Sequence, residues 1–198
     1  MKIGIRKLCY AILKKDDTSK VEYEKFTQLP GVNSLNTKLG SNSTTYYADD
    51  GPYETESTLG EIKTDIEVAD LSNENLVDLL GHTMKNGILI GNKDDNAPYV
   101  AIGFECTVQK NKTKKVWLLK GQFSEPDDDN KSKTDKVDMN GTAISGTFLS
   151  RVYDGNWRLS MTEGDVGFNQ AKFDSFLTLE GLNGLADYIK TTVTQPTP

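Results

Sequence analysis

Paired acidic residues are the first feature of this sequence that could do chemistry. Tyr47-Ala48-Asp49-Asp50 has the Tyr-x-Asp-Asp pattern with which reverse transcriptases hold two catalytic metal ions. A polymerase also needs a further metal-binding Asp, a much longer chain and a basic template channel, whereas this chain has 198 residues and a net charge of −6. We therefore interpret Asp49-Asp50-Gly51-Pro52 as a turn.

Two other acidic runs and the only histidine are further candidates for chemistry. Asp94-Asp95 and Asp127-Asp128-Asp129 lack the alternating ligand spacing and terminal Glu of an EF-hand loop, so we interpret them as solvated loop charges. A Ser-His-Asp or Cys-His site would have to be built on His82. His82 follows a predicted helix, and we favour a role at that helix end, where the helix dipole stabilises a cation.

Motifs for nucleotide or zinc binding are absent from the sequence. It has no Gly-x-Gly-x-x-Gly, no Walker loop and no Cys-x-x-Cys pair. We therefore expect a protein that is not an enzyme and that needs no metal or cofactor.

Charge and cysteine content bear on partners and compartment. The net charge of −6 and the isoelectric point near 4.9 predict a surface that repels nucleic acid, which is compatible with DNA passing by without being bound. Cys9 and Cys106 lie in apolar runs and are expected to be reduced core residues. Since the start of the chain has no secretory pattern and no apolar run approaches the ~18 residues of a membrane span, we expect a cytoplasmic protein without membrane partners.

Strands dominate the predicted secondary structure. Apolar residues fall on both alternation faces of residues 3–13, which predicts a strand covered on both sides, and residues 21–29 would pair with it as a hairpin. Residues 99–109 and 116–123 predict a second hairpin by their period-two alternation. Residues 137–152 predict a further strand, interrupted by a turn or bulge at Asn140-Gly141.

One strand separates apolar and acidic side chains with particular clarity. In residues 60–69, Ile62, Ile66 and Val68 share one face. The opposite face carries charged residues, namely Glu61, Lys63, Asp65 and Glu67. The first face should pack on a core and the second should meet water.

Helices and a long polar segment complete the predicted elements. Residues 72–80 predict a helix capped by Ser72 and ended by Gly81, and residues 179–190 predict a second, weaker helix. Residues 33–57 are rich in Ser, Thr, Asn and Gly and predict an unusually long loop. Together these elements predict a mainly β fold, a β-sandwich or barrel with a flanking α-helix.

Nine runs of residues within residues 1–159 carry a resemblance to a known family. They are IGIRKL (3–8), YADDGPYE (47–54), LGEI (59–62), IEVADL (66–71), LGH (80–82), APYVA (97–101), VWLLKGQFSEP (116–126), GTF (146–148) and YDGNW (153–157). In their order and spacing these runs resemble the major tail protein family of siphophages, whose members polymerise into the tail tube.

The resemblance implies a fold and a function. It implies a tail-tube-type β-sandwich in residues 1–160, followed by a C-terminal extension in residues 161–198 with a short helix and a tail. It also implies a structural virion protein that is assembled in the bacterial cytoplasm into stacked hexameric rings, through which phage DNA passes during ejection. The implied partners are further copies of the chain, the tape measure protein, and the tail terminator and distal tail proteins.

Two sets of residues receive roles under this interpretation. Glu61, Asp65 and Glu67 would face the lumen and keep DNA from adhering by like-charge repulsion. The predicted loop at 33–57 would be an assembly loop that reaches the neighbouring ring. Its candidate contact residues are Tyr46, Tyr47, Asp49, Asp50 and Tyr53.

Three alternatives remain open at this stage. The resemblance extends to the tube proteins of contractile secretion or tailocin-like systems, which would share the same ring-forming subunit. A carbohydrate-binding β-sandwich, monomeric or trimeric, would instead expose aromatic platforms for glycans. A small hydrolase would need a cleft organised around His82.

Overall fold

A computed structural model of the protein describes residues 3–48, 51–126 and 141–193. In this part of the chain, the strands are β1 (Ile3–Asp16), β2 (Val21–Gln28), β3 (Val32–Ala48), β4 (Gly51–Val68), β5 (Thr83–Lys85), β6 (Ile88–Ile90), β7 (Val100–Thr107), β8 (Thr113–Phe123), β9 (Thr142–Phe148) and β10 (Arg158–Thr162). The helices are α1 (Asn73–Leu80), α2 (Gln170–Ser175) and α3 (Leu179–Val193), with a short 3-10 helix at Gln109–Asn111.

Eight of these strands form one large antiparallel sheet. Its order is β2-β1-β7-β8-β9-β4-β3, and β10 pairs with β8 beside this path. The strands β5 and β6 form a separate two-stranded hairpin. The predicted mainly β fold is confirmed, as is the hairpin of β7 and β8, whose connection contains the 3-10 helix.

The sheet buries side chains on both of its faces. Along β1, Leu8 and Tyr10 belong to one core and Cys9 and Ala11 to the other, so this strand is covered on both sides as predicted. The first core is covered by α1, which contributes Leu79 and Leu80. The second is covered by the C-terminal helices, which contribute buried residues that include Phe176, Leu182 and Ala186.

The helix α1 has the predicted ends. The Ser72 hydroxyl accepts the backbone N–H of Asn75 at 3.3 Å, which satisfies one of the free amides of the first turn. Gly81 ends the helix at a φ of 78°, and its N–H donates to the Val77 carbonyl at 3.0 Å. A Cβ at Gly81 would also lie 2.4 Å from the Asn96 carbonyl oxygen, so glycine is required for both conformation and space.

The C-terminal segment is attached to the sheet by buried contacts. The Trp117 indole donates to the Phe176 carbonyl at 2.6 Å, and the buried Lys115 ammonium donates to the Phe173 carbonyl at 2.6 Å. The predicted helix at residues 179–190 is confirmed as α3, whereas α2 and the β5–β6 hairpin were not predicted. The boundary predicted at residue 160 falls within β10.

The predicted long loop at residues 33–57 is wrong. The structure places this segment in β3 and the first half of β4, which pair along their length from Val32 with Val68 to Ala48 with Gly51. Much of the segment is exposed on both faces, so it lacks the apolar alternation that indicates a strand, and its Asn and Gly residues are depleted in strands.

Candidate assembly surface

A two-stranded arm extends beyond the large sheet. The strand β4 pairs with β9 only from Ile62 (opposite Phe148) to Val68 (opposite Thr142). The rest of β4 pairs with β3 alone, so residues 41–48 and 51–59 form an antiparallel arm, which we call the arm hereafter. At ~3.3 Å per residue it reaches on the order of 30 Å. Isolated two-stranded hairpins are marginally stable in water, so the arm is an element whose stability benefits from a partner.

The arm leaves the sheet at an irregularity in β3. The pairing register shifts between Leu39 and Ser41, and Gly40 occupies the shift. A Cβ at Gly40 would lie 2.9 Å from the Glu61 carbonyl oxygen and 3.1 Å from the Glu61 nitrogen. The two backbones approach so closely that only glycine fits without displacing a strand.

The surface of the arm is polar, with a few exposed apolar side chains. Tyr46 is 67% exposed and Leu59 is 48% exposed, while Thr45 and Thr55 lie opposite each other with their hydroxyls 3.2 Å apart. Between residues 41 and 59 the sequence has four acidic residues and no lysine or arginine: Asp49, Asp50, Glu54 and Glu56. The sequence of this segment is therefore acidic, and the arm exposes Glu56 and the aromatic side chain of Tyr46.

Three of the residues proposed as inter-ring contacts lie near the end of the arm. Tyr46 pairs with Glu54 and Tyr47 with Pro52, and Tyr53 lies in the same end of β4. Asp49 and Asp50 fall outside the described residues. The three tyrosines thus lie on paired strands and not in a loop, and their role as inter-ring contacts stays a prediction.

The three acidic residues proposed for the lumen share one polar face of the sheet. Glu61 is exposed and Asp65 and Glu67 are half-buried, while the alternate residues Ile62, Ile66 and Val68 are buried. The predicted alternation of this strand is therefore confirmed. Whether this face lines a lumen remains a prediction.

Hydrogen bonds and lysines moderate the negative charge of this face. Asp65 accepts from Lys38 at 3.0 Å and from the Ser145 hydroxyl at 2.8 Å, and these two bonds, the one from Lys38 foremost, hold the pKa of Asp65 below its usual value. Lys63 lies 3.3 Å from Glu61. The face therefore combines three carboxylates with two lysines, and Lys38 was not anticipated because it lies in the segment that was predicted as a loop.

His82 lies between two carboxylates near the end of α1. Its Nδ1 is 2.8 Å from Asp95 and its Nε2 is 3.0 Å from Glu125. The Nδ1 atom forms a hydrogen bond with the Asp95 carboxylate, so His82 links the end of α1 to the loop that carries Asp95.

This cluster corrects the interpretation of one acidic run. Asp95 is not a simple solvated loop charge, because it also accepts the backbone N–H of Asn92 at 2.8 Å. The hydrogen bonds from Asn92 and His82 hold the pKa of Asp95 below its usual value, and the bond from Asn92 has the larger effect. His82 and Asp95 close the connection that contains the β5–β6 hairpin. Asp127, Asp128 and Asp129 lie outside the described residues.

Within the described ranges, no group of three or more His, Cys, Asp or Glu side chains is arranged to hold a metal ion. No helix in the described part of the chain is long and apolar enough to cross a membrane. Neither protein-family models nor curated proteins gave a match to this chain.

Proposed function

We propose that this protein is a structural subunit that self-assembles into stacked hexameric rings, the tail tube of a long-tailed bacteriophage. The finished tube would be the conduit for DNA ejection. The protein would be made in the host cytoplasm, would end in the virion, and would act without catalysis or cofactor.

The observation that carries this proposal is the arm. It is a pre-formed two-stranded projection whose strands have unpaired outer edges, and such edges are ready to pair with another chain. Its exposed Tyr46 is of the residue type that dominates interface energetics. An arm of this kind has little to contribute to a monomer and much to contribute to a polymer.

Further support comes from the fold and the resemblance together. Most of the runs that resemble the siphophage tail proteins lie in the sheet strands β1, β4, β8 and β9, and others overlap the end of α1 and the start of β7. The mainly β fold with a large antiparallel sheet is what that resemblance implies. The polar face with Glu61, Asp65 and Glu67 offers a surface without aromatic or strongly basic character, which suits passing DNA.

Electron microscopy of the purified, concentrated protein tests the proposal. We expect rings with a central hole and, at higher concentration, tubes of uniform diameter. Deleting residues 41–59 and joining Gly40 to Gly60 should give a folded protein that forms no tubes. Particles that stay monomeric at every concentration, with or without the arm, would contradict the proposal.

The tube of a contractile secretion or tailocin-like system is the nearest alternative. It would give the same rings and tubes, but its tube would pair with an outer sheath and would not require DNA passage. A carbohydrate-binding β-sandwich would give no tubes and would bind glycans on an array.

A further inference from the structure

Strands β1 and β3 lie close to each other in the fold but do not pair within the described part of the chain. The chain turns at Pro30-Gly31 from β2, which pairs with β1, into β3, which pairs with β4. This corner is held by the Leu29 N–H on the Leu8 carbonyl and by the Ala69 N–H on the Gly31 carbonyl, both at 2.8 Å. Among the described residues, the stretch 3–8 of β1 then pairs only with β7, and β3 pairs only with β4.

The two open strand edges border a cleft of about 600 Å³. One side is formed by Gly4 and Ile5 of β1, and the other by residues 33–37 and Leu39 of β3. The floor is apolar and is continuous with the first core, since it consists of Phe104, Cys106, Val116, Leu118 and Trp157. A chemical group that enters the cleft therefore meets apolar side chains below and unpaired backbone N–H and C=O groups at the sides.

Arg158 supplies the only charged side chain that lines the cleft within the described part of the chain. Its Nε is buried and has no hydrogen-bond partner among the described residues. The guanidinium carbon lies 5.8 Å from the centre of the Trp157 ring, so the charged group sits beside the apolar floor of the cleft. A buried donor without an acceptor is costly, and a carboxylate is the acceptor that satisfies an arginine best.

The arm of a second copy has the matching chemistry. It is already extended, as an occupant that pairs with strand edges must be, and between residues 41 and 59 it has acidic residues and no basic ones. On its β4 strand, the Glu56 side chain is exposed and forms no ion pair or hydrogen bond with the other described residues. A fatty carboxylate would offer charge and apolar surface but would leave the strand edges unpaired.

We propose that this cleft is the receptor for the arm of a neighbouring copy, and that Glu56 of the arm pairs with Arg158 of the cleft. One strand of the arm pairs through its free edge with an open strand edge of the cleft, and the arm covers the apolar floor. This inference rests on the proposed function, since it names where the arm binds in the assembly.

A charge exchange tests the pairing. Glu56→Arg and Arg158→Glu should each raise the protein concentration needed for tube formation by about tenfold or more, because each removes a charge-assisted bond and places like charges together. The double variant should assemble within about threefold of the wild-type concentration. The control Asp165→Lys, an exposed acidic residue away from the cleft and the arm, should leave assembly unchanged.

A mixing experiment shows whether the contact joins different copies. Glu56→Arg and Arg158→Glu chains mixed in equal amounts can alternate, so that an arginine arm meets a glutamate cleft and a glutamate arm meets an arginine cleft. We expect the mixture to assemble better than either chain alone. Urea unfolding of each variant shows whether a loss of assembly reflects a loss of folding. The milder change Arg158→Gln, which leaves no like charges in contact, should also weaken assembly.

Distinct results would overturn the inference and the proposed function. Single variants that fold and form tubes like the wild type would overturn the docking site and leave the proposed function standing. Absence of rings and tubes from the wild-type protein would overturn both. If dodecanoate protects Cys106 from thiol labelling while a peptide of residues 51–60 does not, the cleft is a site for amphiphiles and the docking inference is wrong.

Discussion

At the scale of single residues, Asp78 joins α1 to the sheet. Its buried carboxylate accepts the Tyr10 hydroxyl at 2.7 Å and forms an ion pair with Lys25. We expect Asp78→Ala to lower the free energy of unfolding by about 1–3 kcal/mol, because it leaves the Tyr10 hydroxyl poorly paired. Lys14→Ala, which removes an exposed ion pair with Glu24, should leave the midpoint of the same urea titration almost unchanged. Equal losses in the two variants would contradict this assignment.

Asp16 makes folding stability depend on acid. Burial raises the pKa of Asp16. Hydrogen bonds from Lys120 at 2.7 Å and from the N–H groups of Val152 and Tyr153 lower it by a larger amount, so the pKa lies below its usual value. Its stabilising contribution is present above the pKa of about 3.9 in the unfolded chain and is lost as the pH falls through the lower pKa of the folded state.

We therefore expect the wild-type unfolding free energy to decrease as the pH falls below about 4. Asp16→Asn should be less stable at pH 7 by about 1–3 kcal/mol and should show a shallower decrease in acid. Urea titrations at several pH values measure both effects. Parallel pH curves for the two proteins would show that Asp16 does not contribute as described.

Residue patterns predicted contacts well where one physical cause dominated. The cap at Ser72, the glycine at Gly81 and the alternation of residues 60–69 each depend on local backbone chemistry, and all three are confirmed. The His82, Asp95 and Glu125 cluster could not be predicted, because its members come from separate segments that only the tertiary fold brings together. The same holds for the unpartnered Nε of Arg158 at the cleft.

At the scale of elements, Gly40 fixes where the arm leaves the sheet. We expect Gly40→Ala to displace the arm, because the added Cβ would lie 2.9 Å from the Glu61 carbonyl oxygen. Tube formation should then require a higher protein concentration than in the wild type, whereas the melting temperature of the protein should change little. Gly51→Ala is the matched control within the same hairpin, since a Cβ there has no neighbour within 4 Å. Similar assembly by both variants would show that the close approach at Gly40 does not direct the arm.

The arm also shows why elements were predicted unevenly. Strands such as β7 and β8 are largely buried, so their sequences contain the apolar residues that predict a strand. Much of the arm is solvent-exposed, and its Ser, Thr and Asn residues are also those of loops. The short hairpin of β5 and β6 escaped prediction for a related reason, because its apolar residues Met84, Ile88 and Ile90 are exposed and do not point to a core.

At the scale of the whole molecule, the polar face of β4 would set how DNA moves through a tube. Changing Glu61, Asp65 and Glu67 together to lysine would leave this face, with Lys38 and Lys63, strongly basic. Phosphate binding strengthens with each added lysine and weakens with salt. If this face lines the lumen, assembled tubes of the triple variant should retain short DNA at low salt and release it at high salt.

A variant with the same charge change elsewhere separates lumen placement from net charge. Asp94, Asp165 and Asp174 are exposed and lie outside both the arm and the polar face, so changing all three to lysine adds equal charge to another surface. This control should bind DNA on accessible surfaces, where a nuclease degrades it, whereas DNA inside a lumen is protected. We therefore expect nuclease-resistant DNA only with the first variant, measured by gel after digestion. Equal protection in both variants, or none in the first, would place the acidic residues away from the path of DNA.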